Sequence, residues 1–526
     1  MKIASKVIIV VLLWLIFVNP GSITNMDTAR RMQMAHAWWT KTEEGIPGDR
    51  LVINVNGQNY IPYDLGQSML MLPGDWLGTK LAQTIKLDRN QSQQFTETFV
   101  SFFIFLPINL LAILACFRLL KLFGYSEKLV GLSSIIWFLG TTVLFYSTLH
   151  QQNNQILLFV LISYQAALAY VKKRQKPLVI FSGIALGIAF LIRITSIIHA
   201  VSILVFLIGC ISDRQKFKSI SRSVKSILLW MSGFIPFVLI ERILTYYRYG
   251  SWTATSTSLH LQIFSKADTL IETNDVVLGH NEDFSFLSLL TKVQLEGLLA
   301  PLFSPEKSVF LYDPLLLPCL FVLFICWRFL SLEIKWYAIS GILNFLLHLY
   351  IYSWTSEWIR QGQWGARYHI TSVHLLLVPL IPLLIRGATK QIKKNTNIFK
   401  KIASWVARII IFLAMLLQFF SIVLPFNLEK TQQELSVGSR FRMIQRVNNI
   451  FYLFDEVPES NIQIGKVIQQ SPQLKPNPNL GWGFLPFRLK DRLNGNSPLN
   501  KLIPILILLW GLLFILAVTA TIWMFI

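Results

Sequence analysis

Long apolar runs recur along the whole chain, and they constrain its fold more than any other feature. A run of roughly 17 to 25 apolar residues is long enough for a helix to cross a bilayer. Only 14% of the 526 residues are charged, whereas a soluble chain carries about 25%. The sequence therefore predicts an all-α polytopic membrane protein with about twelve transmembrane helices. We place these helices near residues 6–22, 96–118, 128–148, 154–171, 177–194, 196–212, 226–246, 308–328, 335–353, 370–387, 403–425 and 502–525.

Clusters of basic residues predict how the chain is oriented. The formal net charge is +21, but the lysines and arginines stand in short groups between apolar runs. This is the pattern of the positive-inside rule, so we interpret them as topology signals and not as a nucleic-acid surface. The groups at 172–176, 214–225 and 386–401 fall on the same side as the N-terminus. We therefore expect both termini to be cytoplasmic, with residues 6–22 as an uncleaved first helix.

The long connecting segments all fall on the opposite, extracytoplasmic side. We predict a transmembrane module over 1–425 with a first outer loop at about 23–95, an extracytoplasmic segment at 426–501 and a last helix at 502–526. In the first outer loop, Thr24 or Asn25 can cap a helix that runs to about Trp39. A small hairpin turning at Asn56-Gly57 follows. The stretch DLGQSMLMLPGDWLG then predicts a second short helix at the membrane interface.

Asp27 stands just beyond the first apolar run, at the start of the predicted outer helix. A carboxylate there is a candidate general base at the membrane surface. Two other interpretations stay open. Thr24 and Asp27 have the spacing of a capping box, and Asp27 and Arg31 have the spacing of an i,i+4 ion pair.

Two further positions place polar groups beside apolar runs. Arg193 interrupts GIAFLIRITSII, and an arginine at such a place faces either an anion, such as a lipid phosphate, or snorkels to the surface. His150 lies in the turn STLHQQNNQ, which either hydrogen-bonds a polar ligand or is a solvated connection.

Two outer segments combine aromatic and charged residues. They are LLAPLFSPEKSVFLYDP at 298–314 and SWTSEWIRQGQWGARYH at 353–369. Aromatic rings suit a sugar and arginines suit a phosphate, although an interfacial aromatic belt has the same composition. No nucleotide-binding or metalloprotease motif is present, and the four cysteines show no metal-ligand spacing. Any activated donor is therefore expected to reach the protein through the membrane.

These segments together resemble the GT-C superfamily of polytopic glycosyltransferases, which contains the dolichyl-phosphate-mannose–protein mannosyltransferases and their bacterial relatives. YIPYDLGQSMLMLPGDWLG is similar to the later part of the first outer loop in that family, and GIALGIAFLIRITS to a helix end that carries a basic residue. The stretches at 298–314 and 356–369 resemble two later outer segments of bacterial members. The resemblance covers about 1–390, and the order of the segments agrees.

The resemblance implies a membrane enzyme that transfers a sugar from a polyprenyl-phosphate donor to a glycan, lipid or protein acceptor by inverting displacement. It implies Asp27 as the catalytic residue and aligns Arg193 and Arg367 with basic positions. Our candidates at the donor phosphate are Arg30, Arg193 and Arg367. A divalent metal stays open, although no ligand cluster supports one. The candidates for substrate binding are Tyr63, Asp64, Gln67, His150, Lys307, Tyr312, Trp364 and His369.

The expected location is a bacterial plasma membrane, with the active site on the extracytoplasmic face. Other functions also fit a chain of this kind. A flippase or other transporter of lipid-linked glycans would have no chemistry and would carry buried charges through the membrane midplane. A non-catalytic protein of envelope assembly is the third alternative.

Overall fold

The computed structural model describes residues 2–45, 52–55, 57–212, 219–256, 258–259, 295–353, 364–389, 398–424, 429, 439, 441–452, 482–492 and 501–525. They are almost entirely helical, as predicted. Up to residue 259 the helices are α1 (Ile3–Val18), α2 (Met26–Thr40), α3 (Gly66–Thr84), α4 (Arg89–Val100), α5 (Leu106–Leu122), α6 (Glu127–Leu139), α7 (Val143–Leu149), α8 (Gln152–Lys173), α9 (Lys176–Ile192), α10 (Ile197–Ser212) and α11 (Ser219–Tyr249). From residue 295 they are α12 (Leu295–Phe303), α13 (Val309–Tyr312), α14 (Leu316–Cys326), α15 (Leu332–Tyr352), α16 (Ile370–Leu377), α17 (Ile381–Thr389), α18 (Ile398–Val423), α19 (Arg442–Tyr452), α20 (Leu485–Arg492) and α21 (Ile503–Phe525).

Seven helices of the described part are long and apolar enough to cross a membrane, or up to nine if each of two bent pairs is one span. Three shorter apolar helices, Ile3–Val18, Lys176–Ile192 and Leu316–Phe329, accompany them. Each apolar run predicted from the sequence coincides with one of these helices or bent pairs. The chain is therefore an integral, multi-pass membrane protein, while the number of twelve crossings stays a prediction.

The chain divides into two compact units, each built from distant parts of the sequence. The first unit comprises Met1–Pro20, Cys116–Thr148 and Val293–Ile526, and the second comprises Gly21–Ala115 and Leu149–Lys292. In the first unit, α1 packs against α21. Trp14 Nε1 donates to Thr521 Oγ1 at 2.9 Å, and Trp510 Nε1 donates to the carbonyl of Phe17 at 3.0 Å. In the second unit, α8, α9 and α11 pack side by side, and α3 packs on α2 and α4.

Two of the apolar helices in the first unit are broken. The axes of α6 and α7 differ by 56°, and those of α16 and α17 by 48°. At the first break, the carboxylate of Asp313 accepts from the backbone N–H of Thr142 at 2.7 Å and from its hydroxyl at 2.8 Å. It thereby satisfies a backbone donor at the start of α7. Pro379 lies in the second break, where it cannot continue the ladder of hydrogen bonds.

The first outer loop folds largely as predicted. Asn25 is the N-cap of α2, and its side chain accepts from the N–H of Thr28 at 3.2 Å. The capping box of Thr24 and Asp27 is therefore wrong, and Asp27 lies in the first turn, where the helix dipole favours an acid. Strands β1 (Ile53–Val55) and β2 (Gln58–Tyr60) form the predicted antiparallel hairpin; Asn56 of its turn lies outside the described residues. The second helix of the loop is α3, which is longer than expected.

Candidate functional site

The predicted base, Asp27, is partly exposed in the first turn of α2 in the second unit. The hydroxyl of Tyr63 donates to its Oδ1 at 3.0 Å. Burial is the main cause that raises the pKa of Tyr63, and the negative charge of Asp27 adds to it. Tyr63 therefore keeps its proton and holds one carboxylate oxygen of Asp27 in place. Arg31, one turn further along α2, lies with its guanidinium carbon 4.1 Å from the centre of the Tyr63 ring.

A buried ion pair fixes the segment that carries Tyr63. Arg248, near the end of α11, donates to Glu44 at 2.6 Å. The same guanidinium donates to the carbonyls of Ile61 at 2.8 Å and of Tyr63 at 3.1 Å. Glu44 in turn accepts from the N–H of Ile61 at 3.2 Å. Because a buried charge is costly unless it is paired and hydrogen-bonded, these contacts hold residues 61–63 in one conformation.

Asp64 follows Tyr63 and experiences a different environment from Asp27. Burial raises the pKa of Asp64 to about 6, against the opposing charges of Arg31 and Arg193. The hydrogen bond with Ser256 also opposes the shift, whereas the charge of Glu241 adds to it. Two carboxyl groups of the second unit therefore neighbour Tyr63, Asp27 through a hydrogen bond and Asp64 along the chain, and the pKa of Asp64 is about 6.

Arg193 is brought to this region by the close packing of α3 against α9. A Cβ at Gly66 would lie 2.5 Å from the backbone N of Ile192. Glycine is the residue type that allows this approach of two backbones. Arg193 is the residue that ends α9, it is 8% exposed, and its Nε donates to Gln152 Oε1 at 3.1 Å. The interpretation of Arg193 as a snorkelling surface residue is wrong because the side chain is buried within the unit.

The side chain of Gln67 contacts the backbone of His150. The carbonyl of His150 accepts from Gln67 Nε2 at 2.7 Å and from the hydroxyl of Thr28 at 3.2 Å. The imidazole of His150 hydrogen-bonds Ser101 at 2.7 Å and stacks on Phe105 with centroids 4.6 Å apart. The turn after α7 is thus a buried junction of α2, α3 and α8. The alternative of a solvated connection is wrong, since residues 150–155 are all buried.

The other predicted substrate residues belong to the first unit. Lys307 and Tyr312 are buried beside α13, and Trp364 packs against Tyr312 edge to face at 4.9 Å. Arg367 lies over the ring of Tyr368 at 5.4 Å. Burial lowers the pKa of His369 to about 3, with His348 adding to the effect. His369 is therefore neutral at physiological pH.

The structure thus gathers Asp27, Arg30, Tyr63, Asp64, Gln67, His150 and Arg193 in the second unit and Lys307, Tyr312, Trp364, Arg367 and His369 in the first. Their functional roles stay predictions. Sequence reasoning named Arg31 only as a partner of Asp27 and missed its contact with Tyr63, and it missed Glu44 and Arg248 as supports of the site. Arg248 gave a usable signal, since it is a charge at the end of an apolar run. The contacts of Arg31 and Glu44 gave none, because they depend on the loop folding back on itself.

The described residues contain no cluster of metal ligands. No group of three or more His, Cys, Asp or Glu side chains among them is arranged to hold an ion. Asp27 and Asp64 have hydrogen-bond donors and arginines as neighbours. We therefore assign no chemical step to a metal.

A family model described as dolichyl-phosphate-mannose-protein mannosyltransferase matches residues 95–240. This range contains His150 and Arg193, but it is less than half of the chain and does not include Asp27. A comparison with curated proteins finds no match.

The solved structures that align with the chain include two of ArnT from Cupriavidus metallidurans. The one bound to undecaprenyl phosphate has a TM-score of 0.43 and 12% identity, and it covers 84% of this chain and 73% of ArnT. The apo state has a TM-score of 0.43 and 13% identity, with 79% and 72% covered. The family match confirms that residues 95–240 carry the sequence pattern of the mannosyltransferase family predicted from the resemblance.

Proposed function

We propose that the protein is a membrane glycosyltransferase that moves a sugar from a polyprenyl-phosphate donor to an extracytoplasmic acceptor. The observation that carries this proposal is the setting of Asp27. Its carboxylate is partly exposed, lies in the first turn of a helix and is oriented by the Tyr63 hydroxyl at 3.0 Å. The match of residues 95–240 to a family named for transfer from dolichyl-phosphate-mannose supports the class of donor.

The reaction we propose is an inverting displacement. Asp27 accepts the proton of an acceptor hydroxyl, whose oxygen forms a bond to the anomeric carbon of the donor sugar. The bond from that carbon to the phosphate oxygen breaks, and the polyprenyl phosphate leaves with its electron pair. A positioned base of this kind is typically worth 10²–10⁴-fold in rate.

The leaving phosphate gains negative charge, so cationic groups near it lower the barrier. Arg30, Arg193 and Arg367 are our candidates for this role. For Arg193 the support is physical, since its buried guanidinium is oriented by Gln152. The negative charge of Asp64 interacts with Arg193 and Arg31 and partly offsets their positive charge before a substrate binds.

The test compares wild type with Asp27→Asn in a lipid bilayer, using radiolabelled polyprenyl-phosphate sugars and a membrane extract as acceptor. Asparagine keeps the size and the hydrogen bond from Tyr63 but cannot accept the proton. We expect transfer by wild type and a loss of at least 10²-fold in the variant, with unchanged thermal unfolding.

The matched control is Glu43→Gln, which changes an exposed carboxylate of the same loop that accepts from Asn59 at 2.7 Å. It should leave transfer unchanged. Normal transfer by Asp27→Asn would show that another residue is the general base. If wild type transfers no sugar but moves the lipid-linked sugar across the bilayer, the protein is a transporter and not a glycosyltransferase.

A further inference from the structure

Helix α19 of the first unit has its polar side turned into the protein and its apolar side turned outwards. Its almost completely buried polar side chains follow one another at successive turns and are Arg442, Gln445, Arg446 and Asn449. On the other side, Ile444 and Phe451 are 52% and 65% exposed, and Phe441 directly before the helix is 45% exposed. A helix at a water surface normally buries its apolar stripe and exposes its polar face. The inverted arrangement therefore indicates an apolar environment outside α19.

The buried polar side of α19 is fixed to the end of α18. Arg446 donates to the carbonyls of Ser421 at 2.8 Å and Leu424 at 2.9 Å. It also donates to Glu429 at 2.7 Å, which accepts from Asn449 at 3.4 Å. Because a buried charge is costly unless it is paired and hydrogen-bonded, α19 cannot turn this side to water without losing these contacts.

The same contacts set the depth of α19 relative to a bilayer. The membrane-length part of α18 is Lys401–Val423, which extends over about 34 Å at 1.5 Å per residue. The hydrocarbon core of a bilayer is roughly 30 Å thick. Ser421 lies in the last turn of this span, and Leu424 lies directly after it. Helix α19 is therefore attached where α18 leaves the hydrocarbon core and enters the interfacial layer.

Helix α12 of the same unit repeats this arrangement at the end of another membrane-length helix. It packs against α15, and a Cβ at Gly297 would meet the backbone of Ser353, directly after the span Leu332–Tyr352. Its exposed apolar side chains lie four residues apart and are Leu295, Leu299 and Phe303. Two short helices at the ends of two spans thus both turn an apolar stripe outwards.

An ion pair connects the two helices. Arg442 of α19 lies 3.6 Å from Glu306 in the turn that follows α12. The charge of Arg442 is thus directed to the protein side of α19, and the outward stripe of Phe441, Ile444 and Phe451 is formed by hydrocarbon side chains. A hydrocarbon stripe in the interfacial layer suits the acyl chains of lipids.

We infer that α12 and α19 are interfacial helices whose apolar stripes contact the lipid of the bilayer. The sequence predicted an interfacial helix only in the first outer loop, so these are two further membrane contacts. One of them holds the chain between α18 and α21 at the membrane surface. The inference does not depend on the proposed function, because it rests on burial and depth alone.

The test measures what surrounds the stripes in the full-length protein in lipid nanodiscs. Ile444→Cys, Phe451→Cys and Phe303→Cys are each labelled with a nitroxide. Power-saturation spectroscopy then compares collisions with oxygen, which dissolves preferentially in hydrocarbon, and with a water-soluble nickel chelate. We expect frequent collisions with oxygen and few with nickel at all three positions. Wild type treated with the same label gives the background, since three of its four cysteines are buried.

Two matched controls calibrate the scale. Phe412→Cys lies within the span of α18 at a residue that is 64% exposed, and it reports lipid. Gln58→Cys lies on the exposed hairpin and reports water. The ratio of oxygen to nickel accessibility at the stripes should be several times that of Gln58→Cys and approach that of Phe412→Cys.

Two results would overturn the inference. A ratio like that of Gln58→Cys would place the stripes in water. Protection from both reagents would show that a second copy or another protein chain covers them. A thermal midpoint equal to that of wild type verifies that each labelled variant is folded. Since the three labels lie on two separate helices, a single variant that fails to fold leaves the other positions to decide.

Discussion

Asp27 and Asp64 show how the surroundings of a residue set its chemistry. Both carboxyls lie close to Tyr63 in the second unit; Asp27 is partly exposed and accepts a hydrogen bond from Tyr63, whereas burial raises the pKa of Asp64 to about 6. An acid with a raised pKa binds its proton more tightly in the folded protein than in the unfolded chain. Its contribution to stability is therefore favourable below about pH 6 and is lost as the pH rises through that value.

We predict that Asp64→Asn stabilises the protein at pH 7.5, because the amide is buried without the cost of ionisation. The gain should be on the order of 1–3 kcal/mol. At pH 4.5 wild type and variant should unfold at nearly the same temperature. Thermal unfolding in detergent at the two pH values measures this difference, and a variant that is less stable than wild type at pH 7.5 would show that the carboxylate is favourably paired.

At the scale of the elements, the sequence predicted the first outer loop well where the signals are local. The start of α2 at Asn25, its end near Trp39 and the hairpin at 53–60 follow from capping and turn chemistry. The contacts that complete the candidate site were not predictable, because they join α11, α2 and residues 61–64 across long stretches of chain. Glu44 and Arg248 pair over 204 positions, and no local pattern records such a contact.

A substitution of Gly66 tests the close contact between α3 and α9. We predict that Gly66→Ala destabilises the second unit by about 1–3 kcal/mol, because its methyl group meets the backbone of Leu191 and Ile192. It should also reduce transfer, since Arg193 directly follows this contact. The control is Gly511→Ala, which meets no atom within 4 Å. Equal unfolding temperatures for the two variants would contradict the close packing.

A substitution of Arg248 tests whether the Glu44–Arg248 ion pair fixes the segment that carries Tyr63. Arg248→Met leaves the buried carboxylate of Glu44 without its cation, which should cost about 3–5 kcal/mol. The control is Lys121→Met, which breaks an ion pair whose side chains are both 56% exposed and should have little effect on stability. Chemical denaturation in detergent compares the two. A small effect of Arg248→Met would mean that water enters the site and solvates Glu44.

At the scale of the whole molecule, apolar runs and basic clusters predicted a multi-pass membrane protein, which the described helices confirm. The grouping into two units was not predictable. Each unit joins segments from distant parts of the sequence, and helix–helix partners in a membrane are chosen by shape more than by apolar character. The segment at 426–501, predicted to be extracytoplasmic, gave no recognisable pattern in the sequence.

The prediction for the whole chain concerns its orientation in the membrane. We expect Lys173→Cys to be cytoplasmic and Gln58→Cys to be extracytoplasmic, following the positive-inside rule. Both positions are exposed. A membrane-impermeant maleimide added to intact cells should label only Gln58→Cys. Wild type serves as background, since three of its cysteines are buried. Labelling of Lys173→Cys alone would place Asp27 on the cytoplasmic face.

The junction at His150 limits what side-chain scanning can detect. Its backbone has φ +57°, and its carbonyl takes the hydrogen bonds of Thr28 and Gln67. Alanine keeps that carbonyl, so an alanine variant reports only on the imidazole and misses the junction itself. Glycine and asparagine tolerate this left-handed conformation, whereas valine and isoleucine do not. Substitutions at position 150 should therefore be tolerated in the order of their backbone freedom and not of their polarity. This order would distinguish a position that matters for the backbone conformation from one whose side chain binds a ligand.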